Sequence, residues 1–131
     1  MKMDDKNLRN SARMAMALGV FLPIAETIKR ANQLLDLANF FKWFDDYMLG
    51  IVLVIAAYRA LKHKGESKAY LIAVWGIAVG GHFLSCLSQF DYYSSPTGDP
   101  GLFSTTFVLI VKGLILIYML IGLQLSIKAR N

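Results

Sequence analysis

Cysteine, histidine and charged residues are all scarce in this chain, and each scarcity excludes a class of protein. Cys86 is the only cysteine, so an intramolecular disulfide is impossible and a cysteine-based metal cluster is not expected. The two histidines, His63 and His82, do not lie at a metal-site spacing, and no metal site is predicted. Only 18% of the residues are charged, and no basic patch interleaved with aromatic residues indicates a nucleic acid partner.

Apolar residues make up 56% of the chain and are concentrated in long blocks. A soluble domain of this length would distribute them in periodic stripes, whereas continuous blocks are typical of membrane-spanning helices. No cleavable signal peptide is expected, because charges rather than a small-residue cleavage site follow the first apolar run, 14–25. The sequence therefore predicts an all-α protein with a single integral membrane domain in contact with the lipid bilayer.

Four apolar segments predict four transmembrane helices in one bundle. They cover approximately residues 13–35, 46–61, 69–89 and 102–125. A helix of about 20 residues crosses a hydrocarbon core of about 30 Å, and the third and fourth segments meet this requirement easily. The second segment reaches the required length only with its flanking residues. The first segment is apolar over only half of its length. Residues 36–45 are predicted either to extend the first helix or to lie in the membrane interface as an amphipathic helix.

The distribution of basic residues orients the predicted helices. Basic residues cluster at both ends of the chain and between the second and third segments: Lys2, Lys6, Arg9, Arg13, Lys62, Lys64, Lys68, Lys128 and Arg130. The connection 90–101 contains neither lysine nor arginine. The positive-inside rule then places both termini in the cytoplasm and 90–101 outside. The net charge of +5 is explained by topology and anionic lipid headgroups, and the compact chain indicates a prokaryotic inner membrane.

Four ionisable residues, one from each segment, are predicted to share one depth in the membrane: Glu26, Asp46, His82 and Lys112. At about 1.5 Å per residue, each lies roughly 20 Å from the cytoplasmic end of its helix. A lysine facing lipid at mid-helix costs about 2.5–3.5 kcal/mol, so we expect Lys112 to face the interior and to be held by Glu26, Asp46 or both. Snorkelling of Lys112 to a membrane boundary is the alternative. Together with Arg30, these residues are candidates for binding a ligand, an ion or a proton.

Simpler structural roles are open for the same residues. Glu26 has the spacing for salt bridges with Lys29 and Arg30 on a helix that has already left the membrane. Asp45 and Asp46 precede an apolar helix, where a carboxylate caps free amides and complements the helix dipole. His82 is expected to be a hydrogen-bonded interior residue, or a proton relay because imidazole titrates near neutrality.

Small residues and a proline mark two of the predicted helices. Gly76 and Gly80 form a GxxxG motif, which permits close approach of a helix from this chain or another. Pro23 lies inside the first helix and cannot donate a hydrogen bond to the carbonyl of Gly19.

Three functions are compatible with this pattern, and no catalytic residue or cofactor is identified by a motif. The first is an accessory or interaction subunit of a membrane assembly, paired with other subunits or with a second copy. The second is a small proton-coupled carrier with its ionisable site in the outer half of the bundle. The third is a membrane-embedded enzyme that uses Asp45, Asp46 and His82. The short loops and the GxxxG motif favour the first.

Overall fold

The protein is an all-α helical bundle in the computed structural model, as the sequence predicts. The structure describes residues 2–32, 35–62 and 67–129, and the side chains of these residues except for 2–5 and 39–43. Within these ranges the long helices are α1 (Lys2–Lys29), α2 (Phe40–Lys62), α3 (Ser67–Gln89) and α4 (Thr105–Lys128). Short 3-10 helices precede α2 and follow α3, at Leu37–Asn39 and Phe90–Ser94.

The first helix is shifted toward the N-terminus relative to its predicted position. It starts at Lys2 rather than at residue 13, because Leu8 and Ser11 extend its buried face. It ends at Lys29 rather than at residue 35. There the Lys29 carbonyl accepts a hydrogen bond from the Leu102 backbone N–H at 3.1 Å. This bond satisfies one of the carbonyls that a helix end leaves without an intrahelical partner.

Residues 36–45 do not extend the first helix, which is one of the two structures predicted for them. A 3-10 turn leads directly into α2, which starts at Phe40, so residues 40–45 are the first turns of α2. Asp45 and Asp46 consequently lie inside the helix and not in its first turn. The prediction that they cap its N-terminus is therefore wrong, because the helix begins before them.

Three helical segments of the described chain are long and apolar enough to cross a membrane. They are Lys6–Lys29, Ser67–Ser94 and Thr105–Lys128. In α2 the apolar stretch is bounded by Asp46 and Arg59, which shortens it on both sides. The structure thus supports a small membrane protein with a helical bundle, while the fourth span rests on the sequence.

The backbones of α1 and α2 approach each other closely at two glycines. A Cβ atom on Gly50 would lie 2.6 Å from the carbonyl oxygen of Gly19 and 2.8 Å from the ring of Pro23. Buried alanines surround this crossing on both helices: Ala12, Ala15, Ala56, Ala57 and Ala60. Small residues therefore set the α1–α2 distance, as they do in membrane helix pairs.

Trp75 joins α3 to both α1 and α4 at the other side of the core. Its side chain is fully buried, and its indole Nε1–H donates to the Ser11 hydroxyl at 2.9 Å. The Ser11 hydroxyl in turn donates to the Gly122 carbonyl at 2.8 Å. A Cβ atom on Gly122 would lie 2.3 Å from the Trp75 ring, so only glycine leaves room for the indole.

We expect Gly122→Ala to destabilise the bundle by about 1–3 kcal/mol, because the added methyl group overpacks the Trp75 ring. The measurement is thermal unfolding in detergent micelles, followed by circular dichroism. The matched control is Gly113→Ala on the same helix, where a Cβ atom meets nothing within 4 Å. Equal stability of the two variants would contradict the packing of Trp75 against Gly122.

Candidate functional site

The four ionisable residues that were predicted to share one depth line a single cavity of about 320 Å³: Glu26, Asp46, His82 and Lys112. Each comes from a different helix, and the remaining wall is mainly apolar. Arg30, the fifth candidate, does not line the cavity but contacts Glu26 from behind it. The structure thus brings together the polar layer that residue counting from the helix ends predicts.

Glu26 is held by two cations of its own helix and the turn that follows. Its carboxylate lies 2.9 Å from the Lys29 ammonium and 3.0 Å from the Arg30 Nε. These are the i, i+3 and i, i+4 pairs that the sequence offers as a simpler role. The Glu26 side chain is 4% exposed, so the pairs are inside the bundle and not on a solvated helix end.

Lys112 points into the bundle, but its partners differ from those predicted. The ammonium donates to the side-chain oxygen of Gln89 at 3.0 Å and to the backbone carbonyl of Ser85 at 3.1 Å. Among the described residues both ion pairs belong to Glu26. The expected ion pair of Lys112 with Glu26 or Asp46 is therefore not formed, because α3 presents neutral acceptors closer to it.

A loop carboxylate completes the Lys112 network. The Gln89 amide donates to the Asp99 carboxylate at 2.7 Å, so one neutral amide links the ammonium to an anion. Asp99 is fixed in turn by the Gly101 backbone N–H, which donates to it at 2.8 Å, and by a bond from its own N–H to Thr105. Sequence reasoning missed Asp99, because its Gly- and Pro-rich loop indicates only turns.

His82 is hydrogen-bonded to the backbone of the helix opposite. Its Nε2 lies 3.0 Å from the Lys112 carbonyl, and since a carbonyl only accepts, Nε2 carries the proton. His82, Cys86 and Gln89 are all buried on the face of α3 that also carries Trp75. These residues, spaced i, i+4 and i+7, therefore form one stripe that faces the interior.

The carboxyl groups of Glu26 and Asp46 line the same cavity from α1 and α2. Neighbouring carboxyl groups repel each other when both are ionised. Asp45, Asp46 and His82 also line a second cavity, of about 310 Å³, between α2 and α3. Asp46 and His82 line both cavities.

The GxxxG glycines lie outside both cavities. Gly76 and Gly80 are exposed, and a Cβ atom on either would meet nothing within 4 Å. Close helix contact within the chain occurs instead at Gly19, Gly50 and Gly122. The motif does not single out these three, because a close contact depends on what faces each glycine.

Comparisons of the chain with protein-family models, curated proteins and solved structures give no match. In the part of the chain that the structure describes, no group of three or more His, Cys, Asp or Glu side chains is placed to hold a metal ion. Asp45, Asp46 and His82 therefore share a cavity without forming a metal centre. The basis for a function is the geometry of the cavities and of the exposed helix faces.

We expect Gln89→Leu to lower the free energy of unfolding by about 1–3 kcal/mol, because Lys112 and Asp99 each lose a buried partner. Gln124→Leu is the matched control, since Gln124 is exposed on α4. Unfolding in mixed detergent micelles measures both. Adding Lys112→Met to Gln89→Leu should recover part of the loss, as coupled neighbours do. Indistinguishable stability of Gln89→Leu and Gln124→Leu would contradict the network.

Proposed function

We propose that the protein is a multi-pass inner-membrane protein that acts as an accessory or interaction subunit of a membrane assembly. The observation that carries this proposal is a small-residue face on α3 that has no partner within the described chain. The four-span topology with cytoplasmic termini, which the proposal includes, is supported by the distribution of basic residues.

The unpartnered face is formed by three exposed small residues: Ala73, Gly76 and Gly80. It is flanked by Ile77 and Leu84, whose side chains are each 65% exposed. A helix from another subunit can approach such a face closely in a bilayer, where small residues allow backbone contact. The apolar side chains beside it supply the flanking contacts.

The same device already operates inside the chain. Gly19 and Gly50 bring the α1 and α2 backbones into contact, and both glycines are covered. Gly76 and Gly80 lie on one face of α3, and no helix of the described chain covers them. A helix from another polypeptide, or α3 of a second copy, is therefore the partner that fits this face.

We expect Gly80→Leu to reduce partner retention about tenfold, because the added side chain separates the two helices. Retention is measured by affinity purification from membranes in mild detergent, with the stoichiometry of co-purified protein or homo-oligomer as the readout. Gly113→Leu on α4 is the matched control, since a Cβ atom there also meets nothing within 4 Å.

A monomeric wild-type protein without a co-purifying partner would overturn the interaction role. Equal retention by Gly80→Leu and Gly113→Leu would overturn the assignment of the contact to α3.

A proton-coupled carrier is the second candidate, and the Glu26–Asp46 carboxyl pair favours it. The pair lines a cavity together with His82 and Lys112. Closely spaced carboxyl groups in a membrane bundle favour uptake of a proton, because protonation of one relieves the repulsion between them.

If the protein is a carrier, we expect Asp46→Asn to lower proton flux in proteoliposomes about 100-fold, because the variant removes one member of the carboxyl pair. Flux is followed with an internal pH-sensitive dye under an imposed potential. Asp91→Asn, at an exposed position after α3, is the control and should retain wild-type flux. Two results would exclude this candidate. One is a proton flux in Asp46→Asn equal to that of the unmutated protein. The other is a proton flux of the unmutated protein no greater than that of empty liposomes.

A further inference from the structure

We infer that the cavity of about 320 Å³ binds the headgroup of an anionic amphiphile. Lys112 would bind the carboxylate or phosphate oxygens of the headgroup, and the acyl chain would leave between α1 and α4. This inference does not depend on the α3 contact. It gives the carrier candidate a substrate class but concerns binding alone.

Among the residues that the structure describes, Lys112 has no anionic partner at ion-pair distance, and one of its donors is unused. An ammonium group has three N–H donors, and its contacts with Ser85 and Gln89 use two of them. Both of these acceptors are neutral. A cation in a membrane span is costly without a counter-ion, and an anionic ligand in the cavity supplies one.

Lys112 is the cation of the cavity wall that an anion can reach. The charged side chains that line the cavity are balanced when all are ionised: Lys29 and Lys112 against Glu26 and Asp46. The Glu26 carboxylate is already paired with Lys29 and, outside the cavity, with Arg30. An anion can therefore bind Lys112 without displacing an existing ion pair.

The cavity opens sideways between α1 and α4. These helices are joined on one side of the cavity by the Tyr118 hydroxyl, which donates to the Met14 carbonyl at 2.9 Å. Closer to Glu26 and Lys112, the cavity is lined by Ile24 of α1 and Phe107 of α4. Their side chains are nevertheless 53% and 50% exposed. The opening is thus apolar and faces the region that acyl chains occupy in a bilayer.

The size and lining of the cavity divide the ligand into two parts. A volume of about 320 Å³ lies at the small end of small-molecule sites, so it holds a headgroup with a few methylene groups. The remaining chain fits along Phe21 and Phe107 at the opening. A free anion would contact only the Lys112 ammonium, and an uncharged chain would contact only the apolar opening. An anionic amphiphile would contact both.

The test is equilibrium binding of radiolabelled palmitate and palmitoyl lysophosphatidate to the purified full-length protein in nonionic detergent. We expect one or both to bind at one site per chain. Acetate, inorganic phosphate and hexadecanol should compete at least tenfold more weakly. Lys112→Gln should weaken binding about tenfold. Lys128→Gln, exposed at the other end of α4, should leave binding within twofold of wild type.

A second variant separates loss of the site from loss of the fold. Val111→Trp places a larger side chain in the cavity wall and leaves the hydrogen-bond partners of Lys112, Ser85 and Gln89, unchanged in sequence. It should abolish amphiphile binding while the helix content and unfolding temperature stay at wild-type values.

Three results would overturn the inference. One is the absence of saturable binding by either amphiphile. Another is equal competition by inorganic phosphate or acetate, which would identify a free-anion site. A third is equal competition by hexadecanol, which would identify an apolar groove. Binding is measured in micelles, independently of proton flux and of partner retention. Failure of this inference would therefore decide neither of the two proposed functions.

Discussion

An ammonium group inside an apolar helix is the constraint on which the rest of the structure depends. Lys112 interrupts the apolar sequence of α4, and a charge at that depth has to be compensated inside the bundle. The compensation is indirect, because Gln89 accepts from the ammonium and donates to Asp99 in the following loop. The amide thus transmits part of the carboxylate's stabilisation without a direct ion pair. One side of the ammonium consequently stays available to the cavity.

The helical class and the clustering of the polar residues were predictable, because both follow from one-dimensional properties of the chain. The lengths of apolar blocks fix the helices, and counting from their ends fixes depth at about 1.5 Å per residue. Glu26, Asp46, His82 and Lys112 accordingly line one cavity. Helix ends were less predictable: α1 starts at Lys2 because its basic first turns also carry a buried face.

The partners of these residues were not predictable, because they depend on how each helix is rotated and how the helices cross. Gly19 contacts Gly50 and Trp75 packs against Gly122 where these helices meet, and no sequence motif marks either contact. The motif glycines Gly76 and Gly80 lie uncovered by comparison. Spacing along one helix identifies a face. Whether a glycine on that face can be replaced by a larger residue depends on the neighbouring helix.

The loop between α3 and α4 ties three helix ends together. Asp99 accepts from Gln89 of α3, Leu102 donates to the last residue of α1, and Ser104 caps α4 by accepting from the Phe107 N–H. Phe103 of this loop lines the cavity where the helices end, and the lateral gap between α1 and α4 is the route of entry that the proposed site would use. A ligand that enters this way partitions into the bilayer first. Its occupancy would then follow its mole fraction among the lipids and not its concentration in water.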